Sequence, residues 1–184
     1  TTKDTDKIVE GFKSFVEDYN KLIEQLNDRI NESATYKKYA PLTEEQRKSM
    51  SDREVELWEE KAKEGLLRND SNISSLLSDM RTALYQSVDG AGLALYDMGI
   101  ETSDSWRDNG KLILDESKLN AAISTNLDGV KKLMTDKEHG IGVLLDNAVK
   151  AAANVSTGSP GSLVSYAGTK AVLTTDNSLY QQLK

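Results

Sequence analysis

The feature that most constrains this chain is an unbroken apolar spacing near its start. Ile8, Phe12, Phe15, Tyr19, Leu22 and Leu26 follow one another at intervals of 4, 3, 4, 3 and 4 residues. That alternation keeps side chains on one side of an α-helix and cannot line one face of a strand, whose period is two. Read as heptads, the six form a d/a seam. Val16, Ile23 and Ile30, seven residues apart, add a second row at the adjoining e position. Together the rows make a stripe suited to a bundle and wider than a two-stranded seam needs. Arg29 falls where the next seam residue belongs, and Asn31 and Ser33 suit a helix exit. A helix with such a stripe needs apolar partners, and the rest of the chain supplies candidates.

After a connector at Tyr36–Pro41, Thr43 and Gln46 have the spacing of a capping box, and Ser51 and Glu54 repeat it. Each pair lets a hydroxyl and a carboxyl or amide satisfy unpaired N–H groups at a helix start. The second box opens a charged helix, Ser51–Glu64, whose apolar residues are Val55, Leu57, Trp58 and Ala62. Gly65 stands where a left-handed C-terminal cap is expected. Leu66 and Leu67 are expected to fold back onto the core, with Trp58 anchoring them against the first helix or the next long one. Asn69 or Asp70 caps that next helix. Its stripe is Ile73, Leu76, Leu77, Met80, Leu84 and Val88, and Gly90 and Gly92 end it.

Tyr96–Glu101 and Lys111–Asp115 read as two strands. Asn109-Gly110 between them is a tight-turn dipeptide, within a loop lengthened by polar Ser103–Asp108. Asp115 caps a short helix containing Leu119, Ala122 and Ile123, and Asp128–Met134 gives another turn or two. Gly140–Asn154 reads as a helix with Ile141, Leu144, Leu145, Ala148, Val149 and Ala152 inward. Ser156–Ser162 reads as a loop. Asn177–Lys184 opens an amphipathic pattern, Leu179 and Leu183, too short to bury much alone, and the natural chain is expected to continue. The fold class is mostly α (α+β): a helix bundle with a small β-hairpin. Its expected core residues are Ile8, Phe12, Phe15, Tyr19, Leu22, Leu26, Trp58, Leu76, Leu77 and Leu84.

Charge and chemistry narrow the function. The formal net charge is -7, which disfavours nucleic acid as a partner, because phosphate binding needs clustered Lys and Arg. No apolar run approaches the roughly 20 residues of a membrane helix, so membrane insertion is not expected. The absence of cysteine excludes disulfides and thiolate metal sites. The one histidine, His139, sits in an acidic loop and reads as solvated. Ser105–Glu116 imitates a calcium loop around Gly110, but Arg107 occupies a position where a carboxylate ligand belongs. Gly158, Gly161 and Gly168 lack the Gly-Lys-Ser/Thr order of a phosphate loop. Glu54, Glu56, Glu59 and Glu60 alternate with Arg53, Lys61 and Lys63, so they read as a solvated helix face with a Glu59–Lys63 pair. No catalytic, cofactor or metal residue emerges. An acidic metal-dependent enzyme, the rival of another class, lacks the ligand spacing it needs.

Five stretches in order carry a resemblance. They are Phe15–Leu26 (Phe-Val-Glu-Asp-Tyr-Asn-Lys-Leu-Ile-Glu-Gln-Leu), Tyr39–Met50 with Ala-Pro-Leu-Thr-Glu-Glu-Gln-Arg, and Glu54–Asp70 with Glu-Leu-Trp-Glu-Glu-Lys-Ala-Lys-Glu-Gly-Leu-Leu-Arg-Asn-Asp. Met98–Thr102 continued by Gly110–Leu119, and Gly161–Gly168, complete the set. Together they resemble the C-terminal part of the bacterial flagellar filament cap family, the hook-associated proteins 2. The resemblance implies that residues 1–176 form the C-terminal half of a discontinuous helical leg domain, and that 177–184 begin a truncated coiled-coil helix. It implies a structural, non-enzymatic, cofactor-free role at the extracellular flagellum tip, reached by the flagellar type III route. The implied partners are other copies of the cap protein in a ring, flagellin and the hook–filament junction proteins. Some members of the family are adhesins, and another surface-filament or adhesin subunit is the alternative.

Overall fold

The computed structural model describes residues 2–156 and 158–167. The expected Asn177–Lys184 helix, with Leu179 and Leu183, and Gly168 of the glycine series lie outside the described residues. The first helix, α1 (Thr2–Asn31), is the longest element, roughly 45 Å at 1.5 Å per residue. Two short helices follow, α2 (Glu44–Lys48) and α3 (Asp52–Lys63). Then come α4 (Ser71–Leu84), the strands β1 (Ile100–Thr102) and β2 (Leu112–Leu114), and four further helices. These are α5 (Glu116–Thr125), α6 (Leu127–Thr135), α7 (Ile141–Ala153) and α8 (Ser162–Ala167). The architecture is mostly helical with one two-stranded antiparallel hairpin.

Local chemistry sets most boundaries. Both capping boxes form: the Thr43 and Ser51 hydroxyls accept from the N–H of Gln46 and Glu54, whose side chains accept from the N–H of Thr43 and Ser51. Asp70 caps α4, and the Asp115 carboxylate takes the N–H groups of Ser117 and Lys118. Asn126, not singled out in the sequence, caps α6 through the Gly129 N–H. Gly65 takes φ +82° at the end of α3, where an added Cβ would stand 2.1 Å from the Ser33 carbonyl oxygen. That residue is glycine for both conformation and space.

One core runs through α1, α4, the hairpin and α5–α7. It contains Phe12, Val16, Tyr19 and Ile23 of α1, Leu76, Met80 and Leu84 of α4, and the fully covered Met98, Leu119, Leu133 and Ile141. The hairpin obeys the period of two. Ile100 faces Leu114 and Thr102 faces Leu112 on the inner side, while Glu101 faces Ile113 outward. Its loop is long, with a 3-10 turn at Trp106–Asp108 and left-handed Asn109 (φ 50°) and Gly110 (φ +89°) reversing the chain.

Several expectations need correction. The first strand is shorter than Tyr96–Glu101. Tyr96–Met98 is a 3-10 turn, and Gly99 at φ +75° redirects the chain so closely to Asp115 that a Cβ would meet its carbonyl oxygen at 2.7 Å. Helix α4 ends at Leu84, well before Gly90; Val88 is buried but beyond the helix. Leu66 is 56% exposed and does not fold back. Val149 of α7 is exposed where it was expected inward. The Ser156–Ser162 loop stops one residue early, because Ser162 opens α8.

Candidate functional site

No group of three or more His, Cys, Asp or Glu residues is placed to hold a metal among the described residues. His139 is exposed; its N–H and that of Glu138 donate to the Asp136 carboxylate, which holds that carboxyl below its usual range. In the calcium-like stretch, Asp108 is engaged by the Ser103 hydroxyl, and Glu116 turns away to pair with Lys13 of α1 at 3.0 Å. The glutamates of α3 are dispersed as well. Glu56 pairs with Arg53 at 2.6 Å and Glu59 with Arg47 of α2 in place of the expected Lys63, while Glu64, just past the helix, pairs with Lys61 at 2.8 Å.

A partly covered apolar surface lies along α1. The buried side of this helix is turned relative to the seam read from the sequence. Val9, Phe12, Val16, Tyr19 and Ile23 are covered, whereas Ile8, Phe15, Leu22 and Leu26 are only partly covered. Val16 and Ile23 of the row assigned to e are therefore deeper than Ile8, Phe15, Leu22 and Leu26 of the seam, Val9 extends that row, and Ile30 stays outside the core. The signal was present: Val9 stands seven residues before Val16. Of the remaining expected core residues, Leu76 and Leu84 are buried and Leu77 partly so. Trp58 lies outside the core. Its indole N–H donates to the Ala40 carbonyl at 2.8 Å, and its ring meets Tyr39 edge-on with centroids 4.9 Å apart. The connector is its partner, neither the first helix nor the next long one, because α3 has no buried residue to bring it inward.

Turning the seam leaves a groove. Phe15, Tyr19 and Leu22 of α1, Met80 of α4, and Leu145 and Val149 of α7 line an open apolar trough of about 240 Å³, with Asp18 the charged group at its edge. Phe15 and Tyr19 stack obliquely along one wall, ring centroids 6.3 Å apart. An apolar strip along a long helix, rimmed by charge, is the form of a helix-docking surface.

The opposite flank of α1 is closed by a contact that hydrophobic patterning could not reveal. The Asn20 amide donates to the Leu112 carbonyl at 2.8 Å and accepts from the Leu112 N–H at 2.6 Å. The side chain thereby occupies the place of a third strand beside β2. Asn27 adds a weaker bond to the Asn109 carbonyl at 3.4 Å, and Lys111 pairs with Glu24 at 3.3 Å.

Residues 1–182 match the family described as flagellar hook-associated protein 2 C-terminus. The chain is 45% identical over 135 residues to flagellar hook-associated protein 2 of Halalkalibacterium halodurans, covering 72% of this chain and 25% of that protein. It is 30% identical over 150 residues to the protein of the same description from Thermotoga maritima, covering 78% and 22%. It thus spans about a quarter of the length of the curated relatives it matches. The crystal structure of the flagellar cap protein FliD D1-D2-D3 domains from Escherichia coli aligns with a TM-score of 0.53 at 23% identity, covering 82% of this chain and 33% of that one, a likeness of fold. With nearly its whole length matched in this way, the chain belongs to the flagellar hook-associated protein 2 family, within its C-terminal region.

Proposed function

We propose that this chain is part of the rigid leg beneath a flagellar filament cap, a structural and non-enzymatic role in a protein that guides flagellin at the filament tip. The observation that carries the reading is the open groove of Phe15, Leu22, Leu145 and Val149, in a chain spanning only about a quarter of its relatives. A groove of that composition favours an apolar helix, and the remainder of the parent protein is its natural occupant. Residues 1–176 then serve as one half of the discontinuous leg, and 177–184 lead toward a coiled coil. The proposed partners are further copies of the parent protein in a ring, flagellin, and the proteins of the hook–filament junction. The proposed place is the extracellular tip of the flagellum, reached by flagellar type III export.

The groove permits a cleaner test than Phe12, which is buried in the chain's own core. Phe15→Asp with Leu22→Asp, introduced into the full-length parent gene, places two carboxylates in the trough, where a docked helix would desolvate them. Cells carrying the exported variant are expected to release flagellin as monomer and lose motility, while the 184-residue chain with the same changes keeps its helical circular dichroism. Filaments of normal length and normal swimming, with export of the variant verified, would overturn the reading.

A further inference from the structure

On the other side of Tyr19 lies a second concavity, a cleft of about 280 Å³ between α1, α4 and the hairpin loop. Ile23, Leu77 and the Tyr19 ring line it together with the polar Asn27, Ser78, Arg81 and Asn109 and with Gly110. Tyr19 is only 5% exposed, yet its hydroxyl has no hydrogen-bond partner among the described residues. Arg81, an exposed side chain, lines the same cleft as that phenol, and it too has neither ion pair nor hydrogen bond among the described residues.

We propose that this cleft binds an aliphatic carboxylate, held by the Arg81 guanidinium and the Tyr19 hydroxyl. A guanidinium matches the planar carboxylate fork, and a phenolic O–H adds one donor to the same anion. One cation suits a single negative charge better than the near-double charge of a phosphate monoester. The apolar walls fit a short methylene stem. The shared chemistry is that of an Asp or Glu side chain on a protein partner and of a free small acid. A bound carboxylate bridges α1, α4 and the loop, so the hairpin tip becomes less mobile when it is present. The inference stands on the cleft alone and does not depend on the groove or its occupant.

The test uses the isotope-labelled 184-residue chain and nuclear magnetic resonance. Glutarate is titrated against its neutral diamide at constant ionic strength. In parallel, a blocked Gly-Glu-Gly peptide is titrated against its Gln counterpart. Saturable shifts of the Arg81 Nε–H and the Gly110 amide with the acids, and none with the amides, are expected. Arg81→Gln is expected to weaken binding about tenfold or more, as loss of a charged hydrogen-bonding partner does, and Tyr19→Phe less so. Both variants should retain the parent's circular dichroism. Tighter saturation by the glutamyl peptide assigns the site to a protein partner, and tighter saturation by glutarate assigns it to a free acid. Equal shifts with acid and amide, no saturation with either acid, or binding unchanged in Arg81→Gln would overturn the proposal.

Discussion

The bundle and the α2–α3 excursion are built from the same kinds of residue and held in different ways. Between Leu26 and Ile73 no hydrophobic side chain is buried. The excursion is held by its termini: the Gly65 N–H donates to the Glu32 carboxylate at 3.0 Å, Arg68 to the Glu32 carbonyl at 2.8 Å, and the Asn69 N–H to the Ile30 carbonyl at 3.0 Å. Inside it, two capping boxes, three ion pairs, the Trp58–Tyr39 contact and the Trp58–Ala40 hydrogen bond add local ties. The bundle buries large side chains completely. Apolar burial is cooperative across elements, while caps and surface pairs act within a turn or two. The difference teaches that a well-capped helix can be locally well specified and still add little to global stability.

The comparison can be broken most directly at Leu133, which is fully covered. Leu133→Ala should cost about 2–5 kcal/mol and lower the single denaturant midpoint of the bundle followed by circular dichroism. A loss of a few tenths would mean that the core is not the cooperative unit. Next in size is Asn20→Ala, which leaves both polar groups of Leu112 without their partner. A cost of about 1–3 kcal/mol is expected, with faster hydrogen exchange at the Leu112 amide.

Trp58→Ala removes the edge contact to Tyr39 and the bond to Ala40, together about 1–2 kcal/mol. Exchange should quicken in residues 35–65 while the bundle midpoint stays in place; a shifted midpoint would join the two regions into one cooperative body. The smallest effect separates them by pH. Hydrogen bonds from Ser51 hold the Glu54 carboxyl below its ordinary 4.5, and Lys61 does the same for Glu64. Their contribution is complete above that value and is lost as pH falls through the lowered folded values. Acid should therefore fray α3 before the bundle unfolds, and soften the Asp136 turn as well. Alkali acts on the bundle as well. Burial pushes the Tyr19 phenol up from 10.0 to about 12, so its contribution is complete below pH 10 and lost as pH rises through about 12. Tyr19→Phe should remove that alkaline loss of stability, measured by denaturant midpoints across the range.

Helices that begin with a capping residue were legible because the cap and the apolar stripe agree, as at Ser51, Asp70 and Asp115. The turn at Asn109-Gly110 was legible for the same reason. The rotation of α1 was not, because two apolar rows of similar width offer no preference until partners arrive from β2, α4 and α5. Tyr96–Met98 misled because an apolar, aromatic run before a turn suits a strand, while the nearby Gly99 turn depends on where Asp115 lies in space. Trp58 misled through size: the largest apolar side chain of a polar helix need not face the core when a connector can cover it. The groove could be inferred only as an excess of apolar width. The cleft could not be inferred at all, since Tyr19 and Arg81 are 62 residues apart.

The Asn20 clasp has a mechanical meaning. One side chain on a long rod engages both polar groups of one residue on a ribbon, so displacement by a single position along the rod forfeits both bonds at once. Apolar packing between α1 and its neighbours would tolerate a slide more gradually, because greasy surfaces are forgiving of small offsets. Asn20 therefore acts as an index pin. It fixes where along the rod the hairpin sits, and an axial push on α1 is handed to β2 at that point before the helix can creep past its neighbours.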